Sequence, residues 1–246
     1  MNIVYTYWSN GIKNIDCGFS HTELFFLCAE KSLRSSLKTI DGNGDVIIFT
    51  DKCGFGLLKN NIKNVKGVKV VIVDFSKYDF DERFWNFPKM VTYTLQKEPF
   101  IHIDFDVILQ PNFYKNAVKQ DGIITEKTRR LYRNSDSMTF VLDVFDEKGD
   151  KMKTHNILCS GLIGTTDMEY IDAFKENFEV AKEYCKNGFH DKVDFINLWG
   201  IEEYNFTKIV ENKKYPVACL AQSTYRHYTG NNKYDNYYDE IKNLEI

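Results

Sequence analysis

The sequence contains no apolar run that approaches the roughly 18 residues that a membrane-spanning helix requires. It begins without a basic segment followed by an apolar one, so we expect neither a signal peptide nor a transmembrane segment. None of its six cysteines forms a C-x-x-C pair, and none lies near a histidine at zinc-finger spacing. From these absences we expect a cytoplasmic protein with reduced thiols.

An excess of basic residues is missing as well, because the formal net charge is −3. Extended nucleic-acid surfaces depend on many lysine and arginine contacts to phosphate, so we expect no such surface here. Hydrophobic residues make up 43% of the chain and charged residues 27%, as in ordinary globular proteins. A chain of 246 residues is long enough to bury a sizeable core.

Short apolar runs alternate with amphipathic segments in the first half of the chain. Strands are predicted at residues 3–8, 45–50, 68–75 and 100–103, and the second and third of these should be buried on both faces. The alternation predicts an α/β fold with a Rossmann-like, mainly parallel central sheet flanked by helices. We expect a single domain with two lobes, a nucleotide-binding lobe at about residues 1–110 and an acceptor lobe at about residues 111–246.

The carboxyl ends of the predicted strands carry polar and aromatic side chains. Ligands of parallel α/β sheets bind beyond these ends, so such residues should share one edge of the sheet. The residues at this edge are Tyr7, Trp8, Ser9, Thr50, Asp51, Asp104 and Asp106.

Asp104 and Asp106 directly follow the apolar strand at residues 100–103. Unpaired charge is too costly to bury, so the two carboxylates must reach the surface or hold a cation. Mg²⁺ and Mn²⁺ prefer oxygen ligands, and Mg²⁺ is typically bound by one or two carboxylates together with substrate phosphates. The pair therefore indicates a divalent metal site, with a polar turn after the strand as the alternative.

His227, Gly230 and Lys233 follow one another at spacings of three residues. Imidazole can complete a metal site that carboxylates begin, glycine lets the backbone approach an anion, and lysine supplies a positive charge for phosphate. Alone, this segment is typical of a surface loop. Combined with the two aspartates, it indicates a site for a metal and a diphosphate.

These motifs resemble those of the GT-A glycosyltransferases, specifically the glycogenin and galactinol synthase type. The stretch at residues 88–107 is similar to the helix, strand and DxD core of that family, and residues 227–233 are similar to its H-x-x-G-x-x-K element. Residues 159–161, Cys-Ser-Gly, lie where the family usually carries Asn-Ser/Ala-Gly, and residues 202–205 resemble its downstream acidic segment. The string at residues 101–107 also resembles a bacterial GT-A-like family without assigned function.

The resemblance implies a role for each matching residue. Asp104, Asp106 and His227 would bind Mn²⁺ or Mg²⁺, and the diphosphate would be contacted by Lys233 and Lys89. The residues expected around the nucleotide, a uridine, are Tyr5, Tyr7, Trp8, Thr50 and Asp51. Glu202 and Glu203 would contact the acceptor, and one of them would act as general base if the enzyme inverted. Family members retain the anomeric configuration.

The resemblance thus implies a metal-dependent glycosyltransferase that moves a sugar from a nucleotide sugar, with a UDP-sugar expected, to a saccharide, lipid-linked or protein acceptor. One alternative is a GT-A shell that binds nucleotide sugar without turnover, although the complete set of motif residues argues against it. Another is a phosphatase of the haloacid dehalogenase type with Asp104 as nucleophile. That enzyme class usually has a small hydroxylic residue after the second aspartate, whereas here residues 107–109 are Val-Ile-Leu.

Overall fold

The computed structural model describes residues 1–9, 22–62, 65–78, 80, 84, 86–126, 128–130, 156–186, 198–228 and 233–246. The helices of these residues are α1 (Thr22–Ile40), α2 (Lys52–Asn61), α3 (Phe87–Thr94), α4 (Phe113–Ala117), α5 (Ile171–Lys186), α6 (Leu198–Lys213) and α7 (Lys233–Asn243). The strands are β1 (Asn2–Tyr7), β2 (Val46–Thr50), β3 (Val68–Ile72), β4 (Phe100–Ile103), β5 (Val107–Leu109), β6 (Ile123–Thr125), β7 (Thr128–Arg130), β8 (Asn156–Leu158), β9 (Leu162–Thr165), β10 (Val217–Cys219) and β11 (Tyr225–His227). No helix of the described residues is both long and apolar enough to cross a bilayer.

Seven strands form the central sheet, in the order β3-β2-β1-β4-β9-β6-β10. The neighbours among β3, β2, β1 and β4 are parallel, as are β6 and β10. Strand β9 runs antiparallel to both β4 and β6 and is the one strand of this sheet with the opposite direction. The prediction of a mainly parallel central sheet is confirmed, and the carboxyl ends of its parallel strands lie at one edge.

Apolar side chains cover both faces of the sheet, because successive residues of a strand point to opposite sides. In β1, Val4 packs in one buried cluster with residues of α3, α5 and α6. Its neighbours Ile3 and Tyr5 belong to a second cluster, which contains residues of α1, α4 and α7. The sheet is therefore flanked by helices on both sides, as the sequence predicts.

The third strand differs from its prediction. The apolar run at residues 68–75 was expected to be buried on both faces, but in β3 Val70 and Val71 are 39% exposed and Ile72 is 55% exposed. The reason is position, since β3 lies at the end of the sheet and pairs with β2 on one side. A single apolar run does not distinguish an edge strand from a central one.

The second half of the chain joins the first through β9 and β11. Residues 157–164 form the end of β8 and the start of β9, separated by Cys159, Ser160 and Gly161. Strand β11 pairs antiparallel with β5, which brings His227 opposite Val107. Strand β11 therefore places His227 beside the turn that carries Asp104 and Asp106.

Candidate metal and nucleotide site

The turn between β4 and β5 holds Asp104 and Asp106 at the carboxyl edge of the sheet. The amide of Asp104 donates to the carbonyl of Gly161 at 2.9 Å, and the amide of Val107 donates to the carbonyl of Asp104 at 3.0 Å. The amide of Tyr228 donates to the carbonyl of Asp106 at 3.0 Å. Both aspartates are thus fixed by main-chain bonds to the second half of the chain.

His227 and Asp106 face each other across the pairing of β5 and β11. The Nε2 atom of His227 lies 3.4 Å from Oδ1 of Asp106, and both side chains are less than a tenth exposed. This separation is long for a hydrogen bond. It is close to the roughly 3 Å that separates two neighbouring ligands of one octahedral ion with bonds of about 2.1 Å. One imidazole nitrogen and one carboxylate oxygen therefore lie at ion-pair distance, a spacing that also comes close to that of two ligands of a single cation.

The other nitrogen of His227 contacts a third carboxylate. Its Nδ1 lies 2.6 Å from Oε2 of Glu126, which also accepts a hydrogen bond from the thiol of Cys159 at 3.2 Å. Burial opposes protonation of His227, but Asp106 and Glu126 outweigh it and raise its pKa to about 9. Without a bound cation, the imidazole is therefore predominantly protonated near neutral pH.

Lys89 on α3 pairs with Asp104. Its ammonium lies 2.9 Å from Oδ1 of Asp104, donates to the carbonyl of Ser160 at 2.6 Å and lies 3.6 Å from Oε1 of Glu202. Burial would lower the pKa of Lys89, but the surrounding carboxylates raise it, so the ammonium stays charged. For Asp104, loss of hydration and the neighbouring Asp106 raise the pKa despite the contact with Lys89.

Glu202 and Glu203 of α6 lie behind this pair, each 3% exposed. The hydroxyl of Tyr93 donates to Oε1 of Glu202 at 2.7 Å, and burial raises the pKa of this carboxyl. The Oε1 atom of Glu203 accepts from both the amide and the hydroxyl of Ser160, at 2.8 Å and 3.1 Å. The Oε1 atom of each glutamate thus faces protein groups, and the contact of Glu202 and Glu203 with an acceptor stays a prediction.

The predicted nucleotide residues divide into two groups. Asp51, at the N-terminus of α2, accepts from the amide and the hydroxyl of Ser9 at 2.9 Å and 2.6 Å, and so links the ends of β1 and β2. Thr50 precedes Asp51 and is fully buried, while Trp8 is partly exposed and lies 5.4 Å from Phe80, ring centre to ring centre. Trp8, Thr50 and Asp51 therefore cluster at the strand ends.

The two tyrosines of β1 point into the core. The hydroxyl of Tyr5 is hydrogen-bonded to Ser32 at 2.9 Å and Ser36 at 2.7 Å, and the residue is 0% exposed. The expected contact of Tyr5 with a nucleotide does not fit this position. Tyr7 is 3% exposed and stacks on Phe25, and its hydroxyl has no hydrogen-bond partner among the described residues.

The predicted diphosphate lysine Lys233 is the first residue of α7. Its side chain lies outside the described residues, as do residues 229–232 with Gly230. The described part of the H-x-x-G-x-x-K element is therefore His227 and Tyr228 together with the backbone of Lys233.

A sequence profile for a family of unknown function, DUF6734, matches residues 1–245. The chain belongs to this family. No curated protein matches the sequence.

Solved structures resemble the fold of this DUF6734 protein. Mouse xyloside xylosyltransferase 1, in its apo form, gives a TM-score of 0.51 at 11% identity, over 89% of this chain and 85% of that one. WbbM, a bifunctional glycosyltransferase, gives a TM-score of 0.51 at 12% identity over 99% of this chain, which spans 50% of the length of WbbM. The DUF6734 protein thus has a GT-A glycosyltransferase fold, and the narrower likeness to glycogenin stays a prediction.

Glu126 is the site residue that the sequence did not reveal. It directly follows β6, so it occupies the same kind of strand end as Asp104. A single carboxylate after a short strand forms no recognisable motif. Two carboxylates separated by one residue, as in Asp104-Phe105-Asp106, form the D-x-D motif. Residues 123–125 are not among the strands that the sequence predicts, so the strand-end rule gives no reason to single out Glu126.

Proposed function

We propose that this protein is a metal-dependent glycosyltransferase that transfers a sugar from a nucleotide sugar to an acceptor. The observation that carries the proposal is the approach of His227 to Asp106, in the turn that also carries Asp104, at the carboxyl edge of a GT-A fold. Asp106 and His227 come from opposite halves of the chain.

The donor set fits a hard or borderline divalent cation. Carboxylate oxygens and one imidazole suit Mn²⁺ or Mg²⁺, and the 3.4 Å between His227 Nε2 and Asp106 Oδ1 agrees with two ligands of one ion. Such an ion supplies positive charge that stabilises a diphosphate leaving group. We assign His227, Asp106 and Asp104 to hold it.

Lys89 then acts beside the metal as a fixed positive charge. Its ammonium bonds to Asp104 and to the carbonyl of Ser160, while Glu202 offsets part of its charge from behind. This arrangement favours a role for Glu202 and Glu203 in holding Lys89 and Ser160 in place. Contact with the diphosphate we assign to Lys233, on the resemblance of the sequence motif.

The nucleotide is proposed to lie beside Trp8 and Asp51, since these residues lie at the ends of β1 and β2, whereas Thr50 is fully buried beneath them. The motif resemblance favours a UDP-sugar and transfer with retention. The acceptor is proposed to be a saccharide, a lipid-linked glycan or a protein, bound by the second half of the chain.

Release of nucleoside diphosphate from a panel of nucleotide sugars, measured with Mn²⁺, tests the proposal. We expect slow hydrolysis of one donor by the wild type and none by the Asp104→Asn/Asp106→Asn double variant. Binding of Mn²⁺ and UDP without any turnover, with every acceptor class present, would instead favour a non-catalytic nucleotide-sugar-binding module. Absence of both binding and turnover would refute the glycosyltransferase function.

A further inference from the structure

The imidazole of His227 lies between two carboxylates that differ in their distance from it. Its Nδ1 is 2.6 Å from Oε2 of Glu126, whereas its Nε2 is 3.4 Å from Oδ1 of Asp106. Glu126 is 1% exposed. Burying a carboxylate costs free energy unless its oxygens are hydrogen-bonded. The contacts of Glu126 with its neighbours must therefore offset the cost of burying it.

We propose that Glu126 is a positioning residue, which accepts the Nδ1 proton of His227 and thereby directs Nε2 toward the metal position beside Asp106. The inference rests on the proposed function and extends it by one residue. A metal-binding histidine usually donates its second N–H to a carboxylate or carbonyl, which fixes both the ring orientation and the tautomer. Among the residues that the structure describes, Glu126 supplies a carboxylate within that reach of Nδ1, at 2.6 Å.

Glu126 is itself held on several sides. The thiol of Cys159 donates to its Oε2 at 3.2 Å, and the hydroxyl of Tyr225 donates to its main-chain carbonyl at 2.8 Å. Gly161 lies directly beneath the pair, since a Cβ atom there would come within 2.3 Å of His227 Cε1 and 2.9 Å of Glu126 Oε2. The packing thus accommodates the imidazole and the carboxylate in contact with each other.

A second reading of these residues is a separate metal site, because single ligand atoms of Glu126, Cys159 and His227 lie within 4.8 Å of one another. Two ligands of one tetrahedral zinc, with bonds of about 2.0 Å, would be about 3.3 Å apart. The 2.6 Å between His227 Nδ1 and Glu126 Oε2 is shorter and matches a hydrogen bond with a charged partner. The distance therefore favours a proton between these atoms.

The affinity for Mn²⁺, measured by electron paramagnetic resonance of the free ion, tests the inference on the whole chain. We expect Glu126→Leu to weaken Mn²⁺ binding by about 10- to 100-fold. Glu126→Gln should lose less, because its side-chain carbonyl can still accept the Nδ1 proton. The matched control is Glu240→Gln, which should bind as the wild type does, since Glu240 bonds to Arg226 and Tyr228 on either side of His227 and not to His227 itself.

The ¹⁵N signals of the His227 ring, recorded with Mg²⁺ bound, give a readout that a purely structural role would not change. The wild type should show the proton on Nδ1, and Glu126→Leu should show a share of molecules with the proton on Nε2. If Glu126→Leu does not fold, Glu126→Gln replaces it in the test, and we expect it to show the smaller loss of Mn²⁺ affinity.

Three results would overturn the inference, and they are distinguishable. Wild-type affinity and an unchanged tautomer in both Glu126 variants would refute it and leave the proposed function intact. A thiolate charge-transfer band on addition of Co²⁺, lost in Cys159→Ser, would place a metal at Glu126 itself. A wild-type protein that binds no Mn²⁺, with or without UDP, would refute the proposed function along with it.

Discussion

The ammonium of Lys89 lies within hydrogen-bonding distance of both carboxylate oxygens of Asp104, at 2.9 Å and 3.2 Å. Asp104, which is predicted to bind a metal cation, is thus already paired with the positively charged side chain of Lys89. Glu202, at 3.6 Å from the same ammonium, makes the lysine the shared partner of two acids. Lys89 consequently contributes to stability as well as to the site.

Replacement of Lys89 by methionine should lower the free energy of unfolding by about 3 kcal/mol, because it leaves Glu202 buried beside Asp104 without a counter-charge. Urea denaturation measures this loss. The control is Lys69→Met, which breaks the ion pair of Lys69 with Asp45, whose side chains are 63% and 40% exposed. That change should cost less than about 1 kcal/mol. Equal losses in the two variants would contradict the prediction.

Two glycines should respond in opposite ways to alanine. A Cβ at Gly164 would lie 2.1 Å from the carbonyl oxygen of Phe100, where β9 packs against β4, so Gly164→Ala should destabilise the protein by about 3 kcal/mol. Gly56, within α2, has no atom within 4 Å of such a Cβ, and Gly56→Ala should stabilise the protein by about 0.5–1 kcal/mol. Denaturant unfolding of both variants is the measurement, and loss of stability in Gly56→Ala would contradict the argument.

Tyr5 and Tyr7 form a second matched pair on β1. The hydroxyl of Tyr5 bonds to Ser32 and Ser36, so Tyr5→Phe should cost about 1 kcal/mol. The hydroxyl of Tyr7 is buried without a partner among the described residues, so Tyr7→Phe should raise stability by about 1 kcal/mol. Thermal unfolding without ligand compares the two. A loss of stability in Tyr7→Phe would reveal a partner for that hydroxyl.

Alkaline pH should reduce stability through Tyr5. Burial raises its pKa to about 12, despite the bonds with Ser32 and Ser36, while an unfolded tyrosine ionises at about 10. Between these values the unfolded chain has lost the proton that the folded protein keeps, so the free energy of unfolding falls as pH rises. The contribution of one group approaches about 1.4 kcal/mol per pH unit. Tyr5→Phe should show a shallower decline over this range, and an identical slope would contradict it.

Sequence patterns predicted part of the site and missed the rest for physical reasons. The placement of Asp104 and Asp106 at a sheet edge follows from charge after an apolar strand, a local rule. The burial of Tyr5 does not follow, because period-2 alternation separates two faces without showing that helices cover both of them. The insertion of β9 between β4 and β6 is a long-range pairing, and no local pattern at residues 157–164 encodes it.

The antiparallel strand β9 also determines when the site can form during synthesis. Strands β1 to β4 are complete in the first 103 residues, yet β4 keeps an open edge until β9 emerges more than fifty residues later. Such an edge is prone to pair with other chains. His227 arrives later still, on β11. A nascent chain on the ribosome thus carries an open sheet edge until β9 emerges, and His227 can approach Asp106 only after β11 has followed.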